Sequence, residues 1–170
     1  MKAESSAISS NSPQSLPSKA ANRSDPTPPA SPAVFHTRLK VRWNELDANG
    51  HVNNMYYQSY FDQARIEAFE QAGLKIDELR EQGIGPVIYK AELDYRRELK
   101  HPDSITVTTW VAEHRRSRAV LAQQIESDRT GDVVCTARFH GIFMELAAGR
   151  PMPFPPELLN GAAALPDYRL

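Results

Sequence analysis

The sequence predicts an α+β domain, an antiparallel sheet wrapped around one long central helix. Three observations carry that expectation. The folded part opens with strict period-two alternation, a long run of helical period follows, and four further β-rich stretches fill most of the remaining chain.

The first stretch places Phe35, Thr37, Leu39, Val41 and Trp43 on one side and His36, Arg38, Lys40 and Arg42 on the other. Alternation over that length means a strand with one buried face. Asn44 to Asn54 is polar, contains Gly50 and reads as a loop. Asn53 or Asn54 suits an N-cap, because a short side-chain oxygen can accept from a free amide of the first turn. From Met55 the period changes: Tyr57, Tyr60, Phe61, Ala64, Ala68 and Ala72 recur three or four apart and share a helical face. Gly73 stands where a left-handed C-terminal cap belongs. Ile76 to Gln82 adds a short helical turn before Gly83, Gly85 and Pro86. Val87, Tyr89, Ala91, Leu93 and Tyr95 then alternate with polar partners, and Ile105 to Ala112 is rich in Thr and Val. Ala119 to Ser127 and Val133 to Leu146 are joined by the hairpin signal Asp128-Arg129-Thr130-Gly131-Asp132. The expected order is one strand, one helix and four strands in meander, with Pro151 to Pro156 ending regular structure.

At 170 residues and a net charge of −1, the chain suits one domain without a global pull toward nucleic acid or an anionic membrane. No apolar run is long enough to span a bilayer. Its single cysteine, Cys135, excludes an internal disulfide framework, fits a reducing, cytoplasmic setting, and sits in an apolar run that suits a packed core thiol. Six of the 13 prolines fall before Val34, in a Ser- and Ala-rich stretch with almost no large apolar side chain. The expected organisation is a disordered tail over 1–33, a domain over 34–150 and a Pro-rich extension over 151–170.

The sequence holds no GxSxG, HExxH, paired CxxC or GxxxxGK[ST] element. Gly83-Ile84-Gly85 lacks a third glycine and precedes a strand. What stands out is Asp47-Ala48-Asn49-Gly50-His51-Val52-Asn53-Asn54, in the loop that feeds the long helix. The first amides of a helix have no internal partner and can polarise a carbonyl. Asp47 would then act as base or nucleophile toward that carbonyl. Gly50 permits close backbone approach to a ligand, and Asn49 and His51 could orient a water or the carboxylate. The same residues also suit a purely structural role in capping the helix and shaping a turn.

Arg42 to Glu67, RWNELDANGHVNNMYYQSYFDQARIE, resembles the N-terminal motif of the 4-hydroxybenzoyl-CoA thioesterase family of hot-dog proteins, and the likeness extends over roughly residues 35 to 150. It implies a metal-free, cofactor-free thioesterase acting on acyl-CoA, assembled as a homodimer or homotetramer. In that family an aspartate three residues before a glycine is the catalytic carboxylate, a relation that Asp47 and Gly50 hold. A backbone amide seven residues further on polarises the thioester carbonyl, and that position is Asn54. Asp47, Asn49 and His51 also resemble the D-x-N-x-H element of plant acyl-ACP thioesterases, in which all three have catalytic roles. Glu113-His114-Arg115-Arg116-Ser117-Arg118 resembles a basic strand turn that contacts CoA phosphates in the family. It departs in having Ser117 where a further basic residue would stand, with Arg118 displaced by one, and it also suits a solvated hairpin tip. Arg96, Arg97 and Lys100 form a second basic patch, read as solvated surface. Two further readings are a non-catalytic acyl-CoA-binding module and another hot-dog enzyme such as a dehydratase.

Overall fold

The computed structural model describes residues 33–159 and the backbone of 163–164. The tail expected over 1–33, all but Ala33, and most of the extension beyond Leu159 lie outside the described residues.

Strand β1 (Val34–Lys40) buries Thr37 and half-buries Phe35 and Leu39, as the alternation predicts, and Val41 continues that side. Trp43 does not. A 3-10 turn over Trp43–Glu45 breaks the strand's parity and leaves the indole 75% exposed. Helix α1 (Asn54–Gln71) follows, with Asn53 as its N-cap: the side chain accepts from the Met55 amide at 3.1 Å. Tyr57, Tyr60, Phe61, Ala64 and Ala68 are buried, together with Arg65 and Phe69. The helix ends at Gly73, whose φ of +85° would strain any side chain. A separate short helix α2 (Ile76–Glu81) comes next, where the sequence foretold a short helical turn, so the described residues hold two α-helices.

Five longer strands, β1, β2 (Ile84–Tyr95), β3 (Ser104–Arg115), β4 (Arg118–Ser127) and β5 (Val133–Glu145), form a curled antiparallel sheet in the order β1-β3-β4-β5-β2. The two-residue strands β6 (Arg150–Pro151) and β7 (Ala163–Ala164) add to β5 and β3. The expected four-strand meander therefore holds only for β3, β4 and β5. From Lys40↔Ser104 to Val34↔Trp110, β1 occupies the side of β3 that a meander would give to β2. That leaves β2 the far edge, against β5. An edge strand has one neighbour to cover it. Of the alternating set, Val87, Tyr89, Ala91 and Tyr95 are accordingly exposed, and Leu93 is half-buried against the core.

One cluster of buried side chains joins Phe61 and Tyr57 of α1 to Leu99, Ile105, Ile125, Cys135 and Phe139. Phe61 meets Phe139 edge to face at 5.6 Å. Truncating such a ring to alanine costs about 3–5 kcal/mol. A second cluster gathers Phe69, Val111, Phe143, Phe154 and Leu158, so the Pro-rich stretch folds back onto the sheet before the described residues end. Arg65 links helix and sheet. Its guanidinium lies 3.9 Å over the Phe139 ring and donates to Gln123 at 2.9 Å and to Asp62 at 2.7 Å, while burial lowers its pKa.

The registers define two ends of the sheet. Lys40 pairs with Ser104, Ile105 with Ser127, and Cys135 with both Ile125 and Tyr95, so the start of the polar loop shares an end with the tail of β2. The β3–β4 turn at Arg115–Arg118 is at the other end, roughly 35 Å away at ~3.3 Å per strand residue.

Candidate active site

The polar loop is a compact structure closed on itself. An antiparallel bridge pairs Leu46 with Val52, the Asp47 amide donates to the His51 carbonyl at 2.8 Å, and the Gly50 amide donates to the Asp47 carbonyl at 3.0 Å. Gly50 has φ +76°, and nothing stands within 4 Å of where a Cβ would be. The backbone turn, rather than lack of space, is what demands glycine there. One oxygen of Asp47, Oδ1, accepts from the Asn49 amide at 2.8 Å and, more loosely, from the His51 amide at 3.4 Å. No hydrogen bond engages Oδ2 among the described residues.

The loop is anchored from beneath. The Glu45 carbonyl accepts from the Asn53 amide at 2.9 Å. Buried Glu45 takes the Arg42 amide at 2.7 Å and the Tyr60 hydroxyl. Burial first, and then that carboxylate, push the Tyr60 hydroxyl well above its ordinary pKa. Glu45 also borders a separate cavity of about 650 Å³ that includes Lys40 and Gln63.

At the start of α1, Asn53 supplies acceptors for the amides of Met55 and Tyr56, at 3.1 and 3.0 Å. The Asn54 amide has no acceptor among the described residues. A cavity of about 400 Å³ brings Asp47, His51 and Asn54 together with Tyr57, Tyr95 and Glu98. Tyr57 and Tyr95 meet edge to face at 5.2 Å, and the Tyr95 hydroxyl donates to the Asn54 carbonyl at 3.3 Å. Desolvation raises the Tyr57 pKa to about 12, so its hydroxyl is a neutral donor at working pH. The cavity thus offers a carboxylate with an open oxygen, an open helix amide and a wall of aromatic surface. Such a set can bind a carbonyl oxygen at the amide and deliver the carboxylate, or a water it activates, to the carbonyl carbon.

The remaining residues singled out from sequence fall as follows. Asn49 is exposed and meets Asp47 through its backbone amide. The His51 ring reaches Glu98 at 2.7 Å. Glu98 also bonds Lys100 at 2.7 Å, and chiefly that ammonium, with His51 beside it, holds its carboxyl below the usual range. Arg115, Arg116 and Arg118 are not brought to this cavity within one chain, because their turn closes the opposite end of β3. Arg116 has φ +37°, and Arg118 lies 6.0 Å over the Tyr89 ring. Cys135 is buried, and desolvation pushes its thiol up to about 12. Tyr57, Tyr95 and Glu98 went unread as site residues. Their sequence signals, a helix-face aromatic and the end of an alternating run, are those of ordinary core and surface. Among the described residues no group of His, Cys, Asp or Glu could hold a metal ion, and no helix is long and apolar enough to cross a membrane.

Residues 41–161 match the family model described as the thioesterase-like superfamily. The long-chain acyl-CoA thioesterase FadM of Escherichia coli is 26% identical over 124 residues, 73% of this chain and 93% of that protein. The chloroplastic acyl-acyl carrier protein thioesterase ATL3 of Arabidopsis thaliana is 35% identical over 74 residues, 43% of this chain and 39% of that protein. The solved DHNA-CoA thioesterase from Staphylococcus aureus superposes with a TM-score of 0.66 at 22% identity, over 71% of this chain and 80% of that one, a likeness of fold.

Proposed function

This chain belongs to the thioesterase-like superfamily, and on that premise we propose that it hydrolyses acyl-CoA thioesters to the free acid and CoA. The observation that carries the proposal is the pairing, in one cavity, of the Asp47 carboxylate with the open Asn54 amide at the start of α1. The thioester oxygen rests on that amide, where the helix N-terminus stabilises the developing oxyanion. Asp47 supplies the attack, either through its own oxygen or by deprotonating water. The C–S bond breaks and the sulfur leaves as CoA thiol after taking a proton. In the water route the attacking water supplies the new oxygen of the acid. In the direct route an anhydride with Asp47 forms, and a water then opens it, releasing the acid and restoring the carboxylate. Gly50 allows the turn, the Asn49 and His51 amides aim the carboxylate, and the His51 ring braces the loop against Glu98. The resemblance to the 4-hydroxybenzoyl-CoA thioesterase family supports these assignments, as does its reading of 34–150 as one hot-dog domain around α1.

A homodimer is part of the proposal. The exposed apolar edge of β2 invites a second copy, since an uncovered edge left alone would template aggregation. Two β2 strands paired antiparallel exchange ends. The partner's β3–β4 turn, with Arg115, Arg116 and Arg118, then moves toward the mouth of the Asp47 cavity. The cytoplasm, where a buried unpaired thiol stays reduced, is the setting that suits this enzyme.

Thiol release from a panel of acyl-CoA substrates, with Asp47→Asn in parallel, tests the function. Binding of acyl-CoA without hydrolysis by the parent protein would replace the enzyme with a binding module. Single turnover in ¹⁸O-water separates the two routes. Direct attack forms an anhydride, and where water opens it at the Asp47 carbonyl the first acid released is unlabelled while Asp47 gains the label, an outcome the water route cannot give.

A further inference from the structure

A second cavity, of about 430 Å³, shares Arg96, Arg97 and Glu98 with the one that holds Asp47 and continues to Lys100 and Arg129. Four cations therefore stand along one path leading away from the carboxylate. Their backbone is fixed by the fold. The Arg96 and Arg97 amides both donate to the Val134 carbonyl, at 2.9 and 3.2 Å. The carbonyl of Leu99, itself 1% exposed, accepts the Val52 amide at 2.8 Å, which ties this connection to the Asp47 loop. The Arg129 amide donates to Asp103, whose buried carboxylate also takes Ser127 Oγ at 2.5 Å and the Ser104 amide at 2.8 Å.

The charged ends, by contrast, point outward. The side chains of Arg97, Lys100 and Arg129 are 64%, 45% and 52% exposed. Each arginine meets the fold through Nε: Arg96 to Thr136 at 3.3 Å, Arg97 to Asp132 at 3.4 Å and Arg129 to Asp103 at 3.8 Å. Their terminal NH₂ groups make no hydrogen bond among the described residues. A guanidinium fork open at that end is the group that grips phosphate oxygens in pairs. The four cations outnumber the carboxylates that pair with them, Glu98, Asp132 and the buried Asp103, and Glu98 is already shared between Lys100 and His51.

We propose that Arg96, Arg97, Lys100 and Arg129 hold the phosphates of the CoA carrier, in the same chain whose Asp47 acts on the thioester. This rests on the thioesterase reading and adds to it a polyanion site supplied within the subunit. The Arg115–Arg118 turn needs a second copy to come near, whereas this patch already borders the catalytic cavity.

The test compares acyl-CoA with the matching acyl-pantetheine, which lacks the phosphates, in the parent enzyme, in Arg97→Ala/Lys100→Ala/Arg129→Ala and in Arg115→Ala/Arg116→Ala. Losing three charge-assisted contacts should raise KM for acyl-CoA about tenfold or more, flatten its salt dependence and spare kcat. The rise on acyl-pantetheine should stay below about threefold, since phosphate contacts are remote from the reacting carbon. Arg97→Lys/Arg129→Lys should recover part of the loss. Titration calorimetry with free CoA gives a readout independent of turnover, with binding weakened in the triple variant. Equal loss on both substrates, unchanged CoA affinity, or a larger effect from the Arg115/Arg116 variant would overturn the proposal. So would a loss confined to acyl carrier protein substrates, which would make the patch a protein-docking surface. Absence of hydrolysis in the parent protein refutes the thioesterase reading instead, and the calorimetry still decides whether the patch binds CoA.

Discussion

The Nε2 atom of His51 lies 2.7 Å from a carboxylate oxygen of Glu98, joining the Asp47 loop to the connection between β2 and β3. The histidine ring is thereby held by the wall of the cavity, and its contact with Asp47 is through the backbone amide. An exposed pair of this kind contributes little to stability. His51→Ala should therefore shift the melting temperature little and lower kcat by less than about tenfold, the effect of a loosened loop rather than of a missing base. Steady-state kinetics beside thermal melts check this. A loss as deep as that of Asp47→Asn would make His51 the base.

The depressed Glu98 pKa carries a sign. Its contacts with Lys100 and His51 favour the folded state fully above the ordinary glutamate value of 4.5. That contribution fades as pH falls below 4.5 toward the depressed folded value. Glu98→Gln should accordingly differ from the parent in stability at pH 6 and approach it at strongly acid pH, as measured by denaturant titration.

Asp47→Asn keeps Oδ1, the atom that accepts from the Asn49 and His51 amides, so the loop should hold its shape. Charge and basicity are what it removes. The variant should fold like the parent and bind acyl-CoA while kcat drops about a hundredfold or more. Retained turnover at unchanged stability would leave Asp47 a turn residue only.

Val87 and Tyr89 are exposed on the one-sided strand β2. If two copies pair there, Val87→Asp/Tyr89→Asp should bring the mass in solution from twice 19.1 kDa to a single copy and sharply reduce activity. Light scattering after size exclusion reads the mass. An unchanged mass would move the interface elsewhere.

Cys135 is buried with its thiol raised from 9.0 to about 12 by desolvation, and Tyr57 is raised from 10.0 to about 12. The native protein should resist a thiol-reactive disulfide reagent at pH 8 and react once unfolded. Both shifts stabilise the fold fully below pH 9.0, and that stabilisation is lost as pH climbs through 9 to 12, because the unfolded chain ionises first. Fast labelling of the folded protein would show an opening that reaches the core.

Much of the molecule was legible in the sequence because it depends on neighbours a few residues apart. Tyr57, Tyr60, Phe61, Ala64 and Ala68 announce α1 by spacing, Asn53 and Gly73 mark its ends, and Gly50 beside Asp47 marks a loop with a tight turn. Each is a local condition on φ, ψ or periodicity. The family likeness carried by Arg42 to Glu67 belongs to the same local stretch. Tertiary structure decided which strands neighbour one another. Because β1 covers one side of β3, β2 is left on the opposite edge, exposed where its alternation foretold burial. The same pairing sends the Arg115–Arg118 turn to the far end of the sheet and sets the Arg96–Lys100 connection, which the sequence reads as solvated surface, beside Asp47. It also draws Phe154 and Leu158 out of a Pro-rich stretch into a core formed by Phe69 and Phe143. Hydrophobic periodicity tells a residue which face to bury. Which partner covers that face depends on contacts distant in sequence, and their competition for a sheet edge is resolved only when the whole chain folds.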